Sequence, residues 1–309
     1  MRKKNTNLIA KLSTLLLIAL ALFAHTLILG IYNSSPAYAA YSPCNCVIFA
    51  MDDIADYGLN NVQLATMDYF ISKNLPFTAS IIVSQLANSS NLDVFHKVGE
   101  GVEKNLFELA IHGYRHVDHS LLTKEEQKND FSKANAKLEY LFGKRADIFI
   151  PPFNAFNLHT IEAMSDLNIT IFSSHTDAEQ NTNNPYKSST LVTTNDSKLE
   201  VSKINDQKPL VYHAPFVASF LRLSTEGIFG DRSVEESLKL IDEGIAKYGF
   251  AHVRLHPSDF NQVNETTGKP INEIDNKRFE LLTRLMDSLK DRNIRIASFS
   301  DISPHSSNV

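Results

Sequence analysis

The chain has 309 residues, 43% of them apolar, with 30 basic and 35 acidic side chains for a formal net charge of −5. That is enough apolar material for a full core, in one large α/β domain or two small ones. No basic block stands out in the body, which argues against nucleic acid as a partner, and two cysteines exclude a multi-disulfide scaffold.

The N-terminus reads as a targeting segment. Arg2, Lys3, Lys4 and Lys11 precede an apolar stretch from about Leu12 to Ile31, and Ala37-Tyr38-Ala39 follows. This is the pattern of an export signal cleaved after Ala39, so residues 1–39 are expected to be a signal peptide. The apolar stretch is long for a cleaved signal, and an uncleaved anchor is the alternative. Either way residues 40–309 are expected to be secreted or held at the cell surface. No later segment is apolar enough to span a bilayer, so a membrane contact is expected only through an uncleaved N-terminal segment.

Cys44 and Cys46 are separated by one residue. Mutual pairing would close a very tight, strained ring, and Cys46 is expected to enter the first strand as a small core residue. Cys46–Met51 is a continuous apolar run of the kind that forms buried parallel strands. Asn60–Lys73 has helical periodicity, with Leu64, Met67, Phe70 and Ile71 on one face. Pro76–Val83 reads as a strand, Phe95–Lys104 as a helix and Phe107–Ile111 as a strand. Thr123, with Glu126 three residues on, predicts a capping box opening a helix that runs to about Phe142. Ile148–Ile150 is a short strand stopped by Pro151-Pro152. Asn157–Leu167 looks helical and Ile169–Ser173 strand-like. A polar stretch from about Thr176 to Lys208 reads as a long loop with short strands near 191–194 and 199–201. Leu210–Tyr212, Ala251–Leu255 and Ile294–Phe299 read as strands, and Ser233–Lys247 and Ile274–Asp291 as helices. Repeated strand–helix units predict a single α/β domain, a distorted (β/α) barrel of seven or eight parallel strands.

In such barrels the site lies at the carboxyl ends of the strands. Asp52, Asp53, His112, His116, Pro152 and His256 all fall at predicted strand ends. An adjacent aspartate pair is commonly a solvated turn, but this one directly follows a buried strand. His112 and His116, spaced i, i+4, place two imidazoles on one face of a helical turn. With a carboxylate from the aspartate pair they supply three ligands of a catalytic zinc site with an open fourth position. His119 is an alternative ligand or a supporting group. His256 is suited to general acid work, because imidazole titrates near neutrality.

These motifs resemble those of the polysaccharide deacetylase family, carbohydrate esterase family 4, with its NodB-like domain. Phe49-Ala50-Met51-Asp52-Asp53 resembles the first family motif, His112-Gly113-Tyr114-Arg115-His116 the second, Phe149-Ile150-Pro151-Pro152-Phe153-Asn154 the third, and Val253-Arg254-Leu255-His256 the fifth. The resemblance spans about Cys46 to Phe299. It implies that Asp53, His112 and His116 hold a divalent metal, usually Zn2+, that Asp52 is the general base for the attacking water, and that His256 protonates the leaving amine. It also implies that the backbone N–H of Phe153 helps hold the oxyanion. Pro152, Tyr114 and His213 are further candidates for the substrate pocket.

The departures are specific. Ile150 stands where the family has the arginine that contacts the base. Asn154 and Ile54 replace motif glycines, and the fourth motif has no convincing match. Arg254, two residues before His256 and so on the same strand face, is a candidate replacement partner of Asp52, with Arg115 as rival; the alternatives are that Arg254 pairs with another acid, such as Asp259, or sits outside. The expected function is an exported, metal-dependent hydrolase removing N-acetyl groups from a cell-surface or extracellular glycan, its partner being an acetylated polysaccharide or glycoconjugate. The rivals are a non-catalytic glycan-binding relative and a metal-dependent amidase acting on a non-sugar amide.

Overall fold

Strand β1 (Cys46–Ile54) is apolar on both faces because both faces are covered. Val47, Phe49 and Met51 point outward into a cluster shared with the helices. Cys46, Ile48 and Ala50 point inward and meet Ala110, Ile148, Ile171 and Phe299. In this computed structural model residues 44–175, 211–223 and 229–302 are described. The expected signal peptide, the polar stretch after Thr176 with its two short strands, and the Leu210 end of the next predicted strand lie outside them.

From β1 the sheet runs through β2 (Phe77–Ile81), β3 (Phe107–Ile111), β4 (Ile148–Phe149) and β5 (Ile171–Phe172), each parallel to the one before. Strand β6 (Tyr212–His213) pairs with β5. After Ala214-Pro215 the same segment resumes as β7 (Phe216–Ser219). A small antiparallel hairpin, β8 (Leu221–Leu223) and β9 (Phe229–Asp231), follows. Strand β10 (Phe250–Leu255) pairs with β7 on one side and β1 on the other. Residues 212–219 therefore pass from the β5 edge to the β10 edge and curl the sheet into a distorted barrel. A second hairpin, β11 (Asn261–Val263) and β12 (Pro270–Ile274), precedes β13 (Arg295–Ala297). Strand β13 pairs with Cys46–Ile48 of β1, on the side that β2 takes from Ala50 onward. Counting β6 and β7 as one crossing, the barrel has eight parallel strands, as the alternation predicts. The two hairpins and the separate β7 were not anticipated.

Six helices among the described residues pack on the outer face: α1 (Asn60–Ser72), α2 (Asp93–Glu103), α3 (Lys124–Phe142), α4 (Leu158–Asp166), α5 (Val234–Tyr248) and α6 (Asn276–Asp291). The predicted capping box is present: Glu126 N–H donates to the Thr123 hydroxyl, and Thr123 N–H to the Glu126 carboxylate. Such a cap stabilises a helix by about 1 kcal/mol. The α3 helix ends on Gly143 in the left-handed region. Helix α2 approaches β3 so closely that a methyl group at Gly101 would lie 2.2 Å from the Phe107 ring.

The sequence leaves the pairing of the cysteines open. Cys44 and Cys46 are joined in a disulfide, with their Cα atoms 5.1 Å apart. That separation lies inside the usual disulfide range, so the three-residue ring closes. Cys46 is nevertheless a buried residue at the start of β1, as expected. No helix among the described residues is long and apolar enough to cross a membrane.

Candidate metal and acid–base site

In a regular strand the side chains of Asp52 and Asp53 would point to opposite faces. Here the β1–β2 register shifts between Met51 and Ile54, and Asp53 adopts a left-handed φ of 61°. The shift breaks the alternation and presents both carboxylates at the carboxyl end of the barrel. A non-glycine residue in this conformation carries a strain of about 1–3 kcal/mol and persists only where its surroundings enforce it.

His112 follows β3 directly and is buried. Its Nδ1 lies 2.8 Å from the Ile150 carbonyl oxygen. A carbonyl only accepts, so Nδ1 carries the proton and Nε2 is left with its lone pair toward Asp53. Gly113 then takes φ +77°, where a Cβ would come 2.4 Å from the Arg115 carbonyl oxygen. Only glycine makes that turn without strain, and it carries the chain back to place His116. The His116 ring packs edge-on against Phe153 with centroids 4.3 Å apart.

Asp53 Oδ1 lies 3.3 Å from His112 Nε2 and 3.1 Å from His116 Nε2. All three atoms are within 4.8 Å of one another. Two ligands of a tetrahedral zinc ion at 2.0–2.1 Å stand roughly 3.3 Å apart. The donor set therefore fits such an ion in type and spacing. Asp53 Oδ1 is buried and accepts no hydrogen bond among the described residues, as expected where lone pairs converge on a shared point. Burial pushes the Asp53 carboxyl up, but the His112 and His116 imidazoles outweigh it and hold the group well below the usual carboxylate range. Burial pushes His112 down, and the Asp52 and Asp53 carboxylates reverse this to a net rise.

Asp52 is 1% exposed. Its Oδ2 lies 3.9 Å from Nε2 of His256, and its Oδ1 has no hydrogen-bond partner among the described residues. His256 leaves β10 at its carboxyl end. Its backbone N–H donates to Oδ2 of buried Asp259 at 2.7 Å, and its Nδ1 is 3.9 Å from the same oxygen. Asp259 thus fixes the backbone of His256 and places a negative charge behind the ring. The signal for it was its position three residues after His256, where a capping carboxylate belongs.

The expected support of Asp52 by an arginine is not found. Arg254 does point into the barrel, but its Nη2 donates to the Ser219 hydroxyl at 3.0 Å and its Cζ lies 4.0 Å over the Phe216 ring. Strand β7 is the register neighbour of Arg254 on one side and β1 on the other, and the side chain turns toward β7. Arg115, in the turn between the two histidines, faces solvent and makes no ion pair among the described residues.

Other candidates are dispersed. Pro152 is buried beneath the turn Pro152–Asn154, in which Phe153 takes φ 57° and is 43% exposed beside His116. Tyr114 packs against the outer core, and its N–H donates to Asp130. His213 is bonded through Nε2 to the Ser174 hydroxyl at 2.8 Å, and burial pushes its imidazole down to about 4. His119 is buried away from the ligand set. Its Nε2 faces Asp130 at 3.4 Å, and its ring stacks on Phe131.

The curled parallel barrel thus brings an Asp-His-His donor set and an Asp/His pair together at its carboxyl end. The polysaccharide deacetylase family model matches residues 40–172. That segment carries Asp52, Asp53, His112 and His116, and it is similar to the family. No curated protein matches its sequence. Among solved structures, it is similar to a protein from Mycobacterium smegmatis assigned as a polysaccharide deacetylase, with 13% identity and a TM-score of 0.60 over 86% of this chain and 93% of that one. It is also similar to a CE4 family pseudoenzyme from Bacillus anthracis, with 11% identity and a TM-score of 0.50 over 84% of this chain. The chain spans 65% of that protein's length. At these identities the likeness establishes the fold.

Proposed function

We propose that the chain is an exported, metal-dependent deacetylase that removes N-acetyl groups from an extracellular or cell-surface glycan. The observation that carries this reading is the convergence of Asp53, His112 and His116 beside the Asp52–His256 pair. Asp53 Oδ1, His112 Nε2 and His116 Nε2 would hold the metal, with zinc best suited to two imidazoles and a carboxylate. When bound, the metal would polarise the amide carbonyl and lower the pKa of water.

The protein supplies the rest. Asp52, buried and 3.9 Å from His256, takes the proton of the attacking water. His256 beside it delivers a proton to the nitrogen of the departing amine. A carboxylate and an imidazole can hold opposite protonation states at one pH, as base and acid must. The Phe153 backbone N–H, on the turn beside His116, would be a donor to the developing oxyanion.

One observation favours a second reading, a non-catalytic glycan-binding relative. Ile150 is buried where the family motif has an arginine, and Asp52 Oδ1 has no partner to orient it. Acetate release from an N-acetylglucosamine oligomer separates the two. The purified chain with zinc should release acetate, and Asp52→Asn should lower kcat by at least a hundredfold while metal content is unchanged. Stoichiometric zinc with no acetate from any N-acetylated glycan would sink the enzymatic reading and leave the binding one.

A further inference from the structure

We propose that Arg254 is a specificity residue that receives the carboxylate of an acidic sugar next to the reacting acetamido group. The inference rests on the deacetylase reading for the identity of the site, and it adds the charge of the substrate. Arg254 lies on the inner face of β10, two residues before His256. Their Cα atoms are therefore about 6.6 Å apart along the strand, so both serve the same end of the barrel.

The guanidinium is held but not neutralised. Its plane is fixed by the Phe216 ring below it and by one hydrogen bond to the neutral Ser219 hydroxyl. No carboxylate lies within ion-pairing distance of it among the described residues. Its Nε is buried and has no acceptor. A half-buried cation without a counter-charge is costly, and a guanidinium has five N–H donors, of which one is used among the described residues.

The other described residues do not cancel this charge. His252, one strand pitch deeper on the same face, is bonded to the Ser173 hydroxyl and is kept neutral by burial and by Arg254 itself. Asp52, the carboxylate expected to pair with Arg254, faces His256 instead. A guanidinium edge presents two parallel donors that match a carboxylate bidentately. Because the ring and Ser219 have already ordered the side chain, little conformational entropy is lost when the anion arrives. A single fixed cation calls for a single negative charge, as a uronic or other carboxylated sugar supplies.

The test is equilibrium binding to the full chain stripped of metal with EDTA, so that no turnover intervenes. The probes are a hyaluronan tetrasaccharide, in which N-acetylglucosamine alternates with a uronic acid, and the same tetrasaccharide with its carboxyls methyl-esterified. The wild-type chain should bind the acid at least tenfold more tightly than the ester, and Arg254→Met should reduce that ratio to about one. Equal binding of acid and ester by the wild type, no binding of the acid, or a preference that survives in Arg254→Met would overturn the assignment. If Arg254→Met does not fold, Arg254→Lys replaces it. Lysine keeps the charge without the planar fork, so the preference should fall several-fold, and an unchanged preference would overturn the proposal. Acetate release measured in parallel keeps the two readings apart. Acid preference without acetate from any substrate sinks the deacetylase reading alone, and acetate release without acid preference sinks the role of Arg254 alone.

Discussion

His252 makes the protein acid-labile in a way that can be calculated. The residue is fully buried on the inner face of β10, with Phe216 and Phe299 edge-on to its ring. Burial first, and the Arg254 charge second, lower its pKa from 6.5 to about 3. In the unfolded chain the imidazole regains its ordinary value, so below pH 6.5 the unfolded state binds the extra proton and the folded state does not. Stability is therefore lost as pH falls from 6.5 toward about 3, and the loss levels off below that. At 1.36 kcal/mol per pKa unit the limiting loss is about 4–5 kcal/mol, and about 3 kcal/mol of it has occurred by pH 4. Against a typical total of about 5–15 kcal/mol, this single group is a large part of the acid response. The assay is urea unfolding of the metal-free chain at pH 7 and pH 4, for the wild type and for His252→Asn, which keeps a polar partner for Ser173. Every other titrating group is common to both proteins, so the difference between their pH-dependent losses isolates His252. The wild type should lose about 3 kcal/mol more than the variant. Equal losses would refute the assignment of His252 as a buried neutral imidazole.

Two further outcomes follow from the same structure. His112→Ala removes one of three ligand atoms together with the bond to the Ile150 carbonyl. The purified variant should fold but fail to retain zinc through dialysis, and metal analysis showing one zinc per chain would contradict the donor set. Gly101→Ala places a methyl group 2.2 Å from the Phe107 ring, which is part of a packed run with Phe77 and Phe70. Overpacking of this kind costs about 1–3 kcal/mol, and a denaturation midpoint equal to that of the wild type would show that α2 can move away from β3.

What the sequence made legible, and what it did not, divides along a physical line. The barrel was readable because burial on both faces writes long apolar runs into parallel strands, and β1, β3 and α3 fall where those runs and the Thr123 cap place them. The ligand set was readable because strand ends gather at one end of a barrel whatever their distance in sequence. Hairpin β11–β12 was not readable: Asn261–Ile274 is largely exposed and polar, so it lacks the apolar pattern that marks a strand. The partner of Arg254 was missed for a different reason. A period of two tells which face of β10 a side chain occupies, and that inference was sound, since Arg254 does point inward. It cannot tell toward which neighbouring strand a long side chain turns, because that depends on pairing. Strand β10 lies between β1 and β7, and the aromatic face of Phe216 lies on the β7 side. The same turn that withdraws the guanidinium from Asp52 leaves its charge without a partner. The base is thus less supported than the motif would have it, and Arg254 has no counter-charge among the described residues. Ile150 at the motif's arginine position and an Arg254 without a counter-charge among the described residues are two parts of one rearranged charge pattern, which the carboxylated sugar proposed above would complete.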